Sequence, residues 1–406
     1  MKKIIVVGNS IAGIRAIEEI RSRDRENEIT VFCEDNNLPN FSHLFAEYLS
    51  KVIPEDEIFY KPQTFYKEKN INIFLGRRIS RVDLKRKRVI TEEREQFFYD
   101  ILLVADSGVH RFPEIKGANK MGVFGLRRLG DIKDILAVMH LVDTVIMEAD
   151  SVSGLKMAQG LKKRSKEVVF IIPSGHLLFD SVDRETAEIL SRCLEENGIC
   201  TVKENTVSEI LGEGEVKAVR LKTGKVLASQ MAVMAKSKMD LRMFADSSLE
   251  IDQGILVDEF FRTNVEDVFA VNGACQPRTW EMAQNDDSDL PSLEEQGRVA
   301  GLNICNQATA YQEPLRIVSF ELFSLSIALM GKTKTQDGIL ERSVRDAPSN
   351  AYQKIFVQDR RLVGAVMINA AGQQDKIVNL IREKIDIQGL EDRILEASCT
   401  YAELLK

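Results

Sequence analysis

Histidine is scarce in this chain. Four histidines among 406 residues leave little acid–base machinery, and no Ser/His/Asp arrangement or metal-ligand spacing can be assembled around them. No catalytic residue and no metal ligand is therefore assigned. The six cysteines (33, 193, 200, 275, 305 and 399) are scattered, with no C-x-x-C pair, so reduced thiols in a cytoplasmic protein are expected. No apolar run reaches the roughly 18–20 residues of a membrane span, so membrane insertion is not expected. The N-terminus runs straight into a strand, without the apolar length or cleavage site of a signal peptide. A net charge of −7 argues against nucleic acid and anionic membrane as partners.

Glycine is missing where the chain most needs it. Residues 1–35 read as strand, tight turn, helix and a second strand ending in an acid, Glu34. The turn is Gly8-Asn9-Ser10-Ile11-Ala12-Gly13, one substitution from the G-x-G-x-x-G fingerprint of dinucleotide-binding folds. In that fingerprint the first glycine makes the turn, the second lets the backbone approach a pyrophosphate, and the third packs helix on strand. Ser10 replaces the second glycine with a small side chain whose hydroxyl can donate a hydrogen bond. The pattern repeats at 142–173, with the turn Ala149-Asp150-Ser151-Val152-Ser153-Gly154. This copy has lost two glycines and gained a carboxylate, which satisfies a helix dipole as a phosphate would and repels a diphosphate. The acid expected after its next strand is replaced by Ile172 and Pro173. The chain looks built for two dinucleotides and equipped for one at most.

Alternating strands and helices predict an α/β fold with parallel sheets. A helix is expected over 42–51, short strands over 71–104, a Pro/Gly-marked linker at 112–117, and a helix over 185–197 with an Asn-Gly stop. The last stretch changes character, with strands predicted at 316–320, 353–358 and 362–368 and helices at 375–384 and 390–405.

The order of these pieces resembles the pyridine nucleotide–disulfide oxidoreductase superfamily, in its NADH:rubredoxin reductase and nitrite reductase FAD-domain branch. The matching segments are the first turn with Glu34, Phe41-Ser42-His43, 112–117, 122–132, 254–263, Glu295-Gln296-Gly297-Arg298 and 352–366. The resemblance implies two Rossmann-like dinucleotide-binding domains, the second inserted in the first, plus a C-terminal α/β interface domain. The FAD-type domain would comprise 1–115 and 245–312, the NAD-type domain 116–244, and the interface domain, through which relatives dimerise, 313–406. It also implies roles. Gly8, Ser10, Ile11, Ala12 and Gly13 match the pyrophosphate turn, and Glu34 the acid that holds the adenosine ribose. Ser42 and His43 match a loop along the flavin. Ala105-Asp106-Ser107 stands for the family's Ala-Thr-Gly. Asn272-Gly273 stands for its Gly-Asp, whose carboxylate binds the ribityl chain. At the second site the family's glutamate is Lys156, and the nicotinamide loop carries Lys236 and Lys238. Disulfide-reducing relatives have a cysteine near position 44, where this chain has Leu44.

Three functions stay open. The first is an FAD-dependent electron-transfer flavoprotein without a competent NAD(P)H site. It would exchange electrons with a protein partner such as an iron–sulfur protein, rubredoxin or a larger redox complex. The second is a non-catalytic structural or regulatory subunit of the same fold. The third is an ordinary NADH-dependent flavoprotein reductase. A homodimer or a subunit of a heteromeric complex is expected in each case.

Overall fold

The computed structural model describes residues 1–105, 110–111, 115–235, 238–278, 290–346, 350–396 and 398–405. The chain forms two units. One comprises Met1–Glu114, Phe124–His140 and Lys236–Pro314. The other comprises Ile115–Val123, Leu141–Ala235 and Leu315–Lys406.

The first unit is organised by a parallel sheet whose strands run, in spatial order, Val268–Ala270, Ile101–Val104, Lys3–Val7, Glu28–Cys33 and Ile71–Leu75. The central strands are near-continuous apolar runs because both faces are covered; Ile4–Val7 and Ile101–Val104 are buried throughout. Helix Ile11–Arg23 lays Ile14, Ile17 and Ile20 on this sheet. A second helix, Leu290–Ile304, packs against it at unusually close range. A Cβ on Gly297 would lie 2.2 Å from the Ala12 carbonyl oxygen, and one on Gly301 would lie 2.7 Å from that of Ala16. Two glycines one helical turn apart therefore let residues near 300 complete a layer begun at residue 11. Strands Ile79–Asp83, Arg88–Thr91 and Gln96–Phe98 form a small antiparallel sheet in the same unit.

In the second unit a parallel sheet runs Cys200–Lys203, Glu167–Ile172, Thr144–Glu148 and Met231–Met234. It shares the unit with an antiparallel sheet in the order Ile317–Leu322, Leu325–Gly331, Arg361–Ile368, Ala351–Gln358 and Leu340–Asp346. Helix Gln374–Glu383 covers one face of that sheet with Ile377 and Leu380. Ionic contacts join the two sheets' elements. Buried Lys354 pairs with Asp183, the N-cap of helix Arg184–Glu196, and with Glu341 at 2.7 Å. Tyr352 donates its hydroxyl to Glu185 at 2.8 Å. Burial alone would lower the Lys354 pKa, but its hydrogen bonds to the two carboxylates reverse the shift and raise it.

Two expectations for the C-terminal stretch are corrected. Strands Leu325–Gly331 and Leu340–Asp346 were not anticipated, the second because LERSVRD carries four charges and little apolar alternation. The helix expected over 390–405 is two short helices, Glu391–Leu395 and Tyr401–Leu404. Glu396 turns extended, and Thr400 starts a new helix through a capping box with Glu403.

Candidate functional site

The first turn sits at the carboxyl end of the parallel sheet, where α/β folds bind ligands. Gly8 has φ 108°, which a side chain would strain, and its N–H donates to Phe32 O at 2.8 Å. Ser10 caps helix Ile11–Arg23: its Oγ accepts from the Gly13 N–H at 3.2 Å. The hydroxyl oxygen is thus an acceptor for the helix, and its proton remains to be donated. The N–H groups of Ile11 and Ala12 belong to the first turn of the helix, which has no intrahelical acceptors for them. No acid occupies that turn. A Cβ on Gly13 would lie 2.9 Å from the Ala105 Cβ, so Gly13 is the close contact of helix on strand end, and buried Ala105 is its packing partner. Asn9, between Gly8 and Ser10, is buried. Its Oδ1 accepts from the Tyr66 hydroxyl at 2.7 Å, whereas its Nδ2 has no partner among the described residues. The turn therefore combines a left-handed glycine, helix N–H groups and an orphaned amide donor, which is the chemistry of a pyrophosphate cradle.

Glu34 follows strand Glu28–Cys33 and lines a cavity of about 300 Å³ together with Val7, Phe32, Arg78, Asp240 and Met243. Its carboxylate lies 3.6 Å from Arg78 Nε and 3.7 Å from Arg128 Nη1. These distances hold the charge without consuming the short hydrogen bonds a ribose would make. Arg78 also reaches Glu92 at 3.1 Å and Asp240 at 3.4 Å. Arg128 is the N-cap of helix Leu129–Val138, and its N–H and that of Arg127 donate to Asp131. Burial pushes the Asp131 carboxyl above its usual range, against the pull of those two backbone N–H groups. Arg78, Arg128 and Asp240 were missed in the sequence. The Arg127-Arg128 pair inside the matched segment 122–132 was the available signal.

The other candidates divide. Val271 N–H bonds Val104 O at 2.9 Å, so Asn272 stands beside Ala105 at the same sheet end as Gly8. Asn272 has φ 59°, a left-handed conformation that asparagine tolerates and glycine favours. Gly273, next to it, is exposed. The Asn272 N–H donates to Gln296 Oε1 at 2.9 Å, linking it to helix Leu290–Ile304. Ser42 and His43 lie on the short turn Ser42–Leu44, half-buried, with the His43 ring 5.3 Å from that of Phe41. Asp106 and Ser107 lie outside the described residues. Burial pushes the Cys275 thiol up to about 12, so it is inert. Among the described residues no group of His, Cys, Asp or Glu could hold a metal, and no helix is long and apolar enough to cross a membrane.

The second turn keeps part of the same build. Ser151 Oγ accepts from Gly154 N–H at 3.1 Å, and a Cβ on Gly154 would lie 2.6 Å from the Ala149 Cβ. Ala149 replaces the left-handed glycine. Asp150 reaches forward, accepting from the Leu178 N–H and the Ser174 hydroxyl. Leu178 itself is held at φ 52°, a strained backbone for a bulky buried residue. Lys156 is half-buried on helix Val152–Lys163; Lys236 and the Lys238 side chain lie outside the described structure.

The model of the pyridine nucleotide-disulphide oxidoreductase family matches residues 2–286, and that of the rubredoxin NAD+ reductase C-terminal domain matches 314–385. The chain is 26% identical over 393 residues to a nitrite reductase (NAD(P)H) of Bacillus subtilis, covering 95% of this chain and 48% of that protein. It is 23% identical over 399 residues to the assimilatory nitrate reductase electron transfer subunit of the same organism, covering 97% of this chain and 51% of that protein. The chain thus spans about half the length of these two relatives. Its fold superposes on a covalent putidaredoxin reductase–putidaredoxin complex with a TM-score of 0.86 at 17% identity, covering 100% of this chain and 98% of that one. With a family model spanning well over half of its length, the chain belongs to the pyridine nucleotide-disulphide oxidoreductase family.

Proposed function

We propose that this chain is an FAD-binding electron-transfer flavoprotein that exchanges electrons with a protein redox partner and takes no NAD(P)H at its second turn. The observation that carries this reading is the contrast between the two turns. The first has left-handed Gly8, open helix N–H groups and no acid in the first helical turn. The second places the Asp150 carboxylate in the turn and ties it to Ser174 and Leu178. In this reading 1–115 and 245–312 hold the flavin, 116–244 is the unloaded NAD-type domain and 313–406 is the interface domain.

FAD, when bound, supplies one- or two-electron chemistry. The chain's own residues bind and orient it. The Ile11 and Ala12 N–H groups and the positive end of helix Ile11–Arg23 take the pyrophosphate. Glu34 accepts the ribose hydroxyls, steadied by Arg78 and Arg128. With glycine at 273 in place of an acid, one charge-assisted contact to the ribityl chain is absent, worth about 1.5–3 kcal/mol. Flavin is therefore held mainly through its adenosine diphosphate end. An iron–sulfur protein, rubredoxin or a larger redox complex fits as partner, since a family relative carries the words electron transfer subunit and a fold neighbour was solved joined to putidaredoxin.

A second reading, an NAD(P)H-dependent reductase, is favoured by the intact Ser151 cap and Gly154 contact and by the nitrite reductase's name. Calorimetric titration of the full chain with NADH separates the two. Micromolar binding would support the second reading and overturn the first.

A further inference from the structure

We propose that Gln296, buried on helix Leu290–Ile304, is a positioning residue of the first site: it holds Asn272 so that the Asn272 side-chain amide serves the ribityl hydroxyls of a bound FAD. The role rests on the reading that the first turn binds FAD.

Asn272 is 6% exposed, and its side-chain amide makes no hydrogen bond among the described residues. A buried amide without a partner is costly and rare in folded proteins, so a partner from outside the chain is expected. Sheet order says which part of the ligand that partner is. Glu34, Gly8, Ala105 and Asn272 follow the carboxyl ends of four neighbouring strands, in that spatial order. Neighbouring strands lie about 4.8 Å apart, so Asn272 stands about 10 Å from Gly8, on the side away from Glu34. A dinucleotide with its ribose on Glu34 and its diphosphate on the first turn therefore brings its ribityl chain toward Asn272. Each ribityl hydroxyl both donates and accepts, and a primary amide can answer both.

Gln296 fixes that amide through the backbone. Asn272 opens the one-turn helix Asn272–Ala274 with φ 59°, so its N–H has no acceptor within the turn. Gln296 Oε1 supplies one at 2.9 Å. The glutamine amide is itself oriented. Its Nε2 donates to Ser292 Oγ at 3.2 Å, and the Ser292 hydroxyl donates to Glu313 Oε1 at 3.2 Å. With its proton committed to Glu313, Ser292 Oγ accepts from the Tyr311 hydroxyl at 2.9 Å as well as from Gln296. Swapping the two ends of the Gln296 amide would set its oxygen against the Ser292 oxygen and its NH2 against the Asn272 N–H. Gln296 therefore has one orientation, and the turn that carries Asn272 is held by it.

The test is calorimetric titration of the full chain with FAD and with ADP, since ADP spans Glu34 and the first turn and ends before Asn272. Gln296→Met keeps the volume and removes the acceptor. It should weaken FAD about three- to ten-fold, the loss of one hydrogen bond, and leave ADP unchanged. Asn272→Gly, which adopts the left-handed turn unaided, should weaken FAD equally, and adding Gln296→Met to it should cost nothing further. Gln296→Glu, protonated in its buried place, keeps both hydrogen bonds and should bind FAD within about two-fold of wild type. ADP binding also reports that each variant keeps the first site folded. A Gln296→Met chain that loses ADP along with FAD, or losses that multiply in the double variant, would show a glutamine that only supports the fold and would overturn the proposal. So would a Gln296→Met or Asn272→Gly chain that binds FAD as wild type does. A wild-type chain that takes no FAD overturns the flavin reading, and the proposal with it.

Discussion

Gly297→Ala is a small change with a large expected consequence. Helix Leu290–Ile304 approaches helix Ile11–Arg23 so closely at this point that the added methyl would lie 2.2 Å from the Ala12 carbonyl oxygen. An ordinary contact needs about 3.5 Å, so the helices must part by about 1 Å. The obstacle is backbone, which cannot swing aside as a side-chain tip does. Alanine brings about 1 kcal/mol of helix propensity. Overpacking of a well-filled interface costs about 1–3 kcal/mol, and more where backbone must move. The cost wins, and a net loss of about 1–2 kcal/mol is expected, lowering Tm by roughly 2–8 °C. The displaced helix also carries Gln296, which holds Asn272, so flavin content should fall in parallel. Gly130 is the control: it lies in helix Leu129–Val138 of the same unit with nothing within 4 Å of its would-be Cβ. Gly130→Ala should raise stability by about 0.5–1 kcal/mol through propensity alone. Thermal denaturation of the three proteins decides the matter. A Gly297→Ala chain as stable as wild type would refute the close-packing argument.

Three further outcomes are expected. Gly13→Leu should abolish bound flavin while leaving the second unit folded, because even a Cβ there meets Ala105 at 2.9 Å; unchanged flavin content would place the site elsewhere. Asp150→Ala should remove the acceptor of the Leu178 N–H and release that amide from hydrogen-exchange protection, with a stability loss of about 2–4 kcal/mol; retained protection would show that the contact does not hold the loop. The second unit should lose stability above pH about 10. Both Lys354 and Tyr352 have folded pKa values raised above their unfolded ones, so their contribution is complete below that pH. It is lost as pH rises, because the unfolded chain releases these protons first. Melting curves across pH 7–11 for wild type and Tyr352→Phe should diverge in slope above about 10; parallel curves would contradict the assignment.

The legible parts of this molecule were those written in consecutive residues. Ile4–Val7 and Ile101–Val104 announce a parallel sheet because buried strands need apolar residues at every position. Gly8 and Gly13 announce the turn because each occupies a place where a side chain collides or strains. What escaped depends on residues far apart in the chain. Arg78, Arg128 and Asp240 converge on Glu34 only after folding. Gly297 and Gly301 lower helix propensity by themselves, and their reason is another backbone almost 300 residues earlier. Asp150 was legible as an added charge. Its partners Ser174 and Leu178 were not, because the loop carrying them follows the next strand. The edge strand Leu340–Asp346 was hidden by its own charges, since an exposed strand has no buried face to impose alternation.

The most direct test is one spectroscopic titration of the purified chain after incubation with FAD and removal of the excess. The flavin band is recorded anaerobically, first alone, then with NADH, then with dithionite. The expected result is a bound-flavin spectrum that NADH leaves oxidised and dithionite bleaches. A chain that stays colourless, or a flavin that NADH bleaches as fast as dithionite does, would contradict the proposal that this is a flavoprotein served by a protein partner and not by NADH.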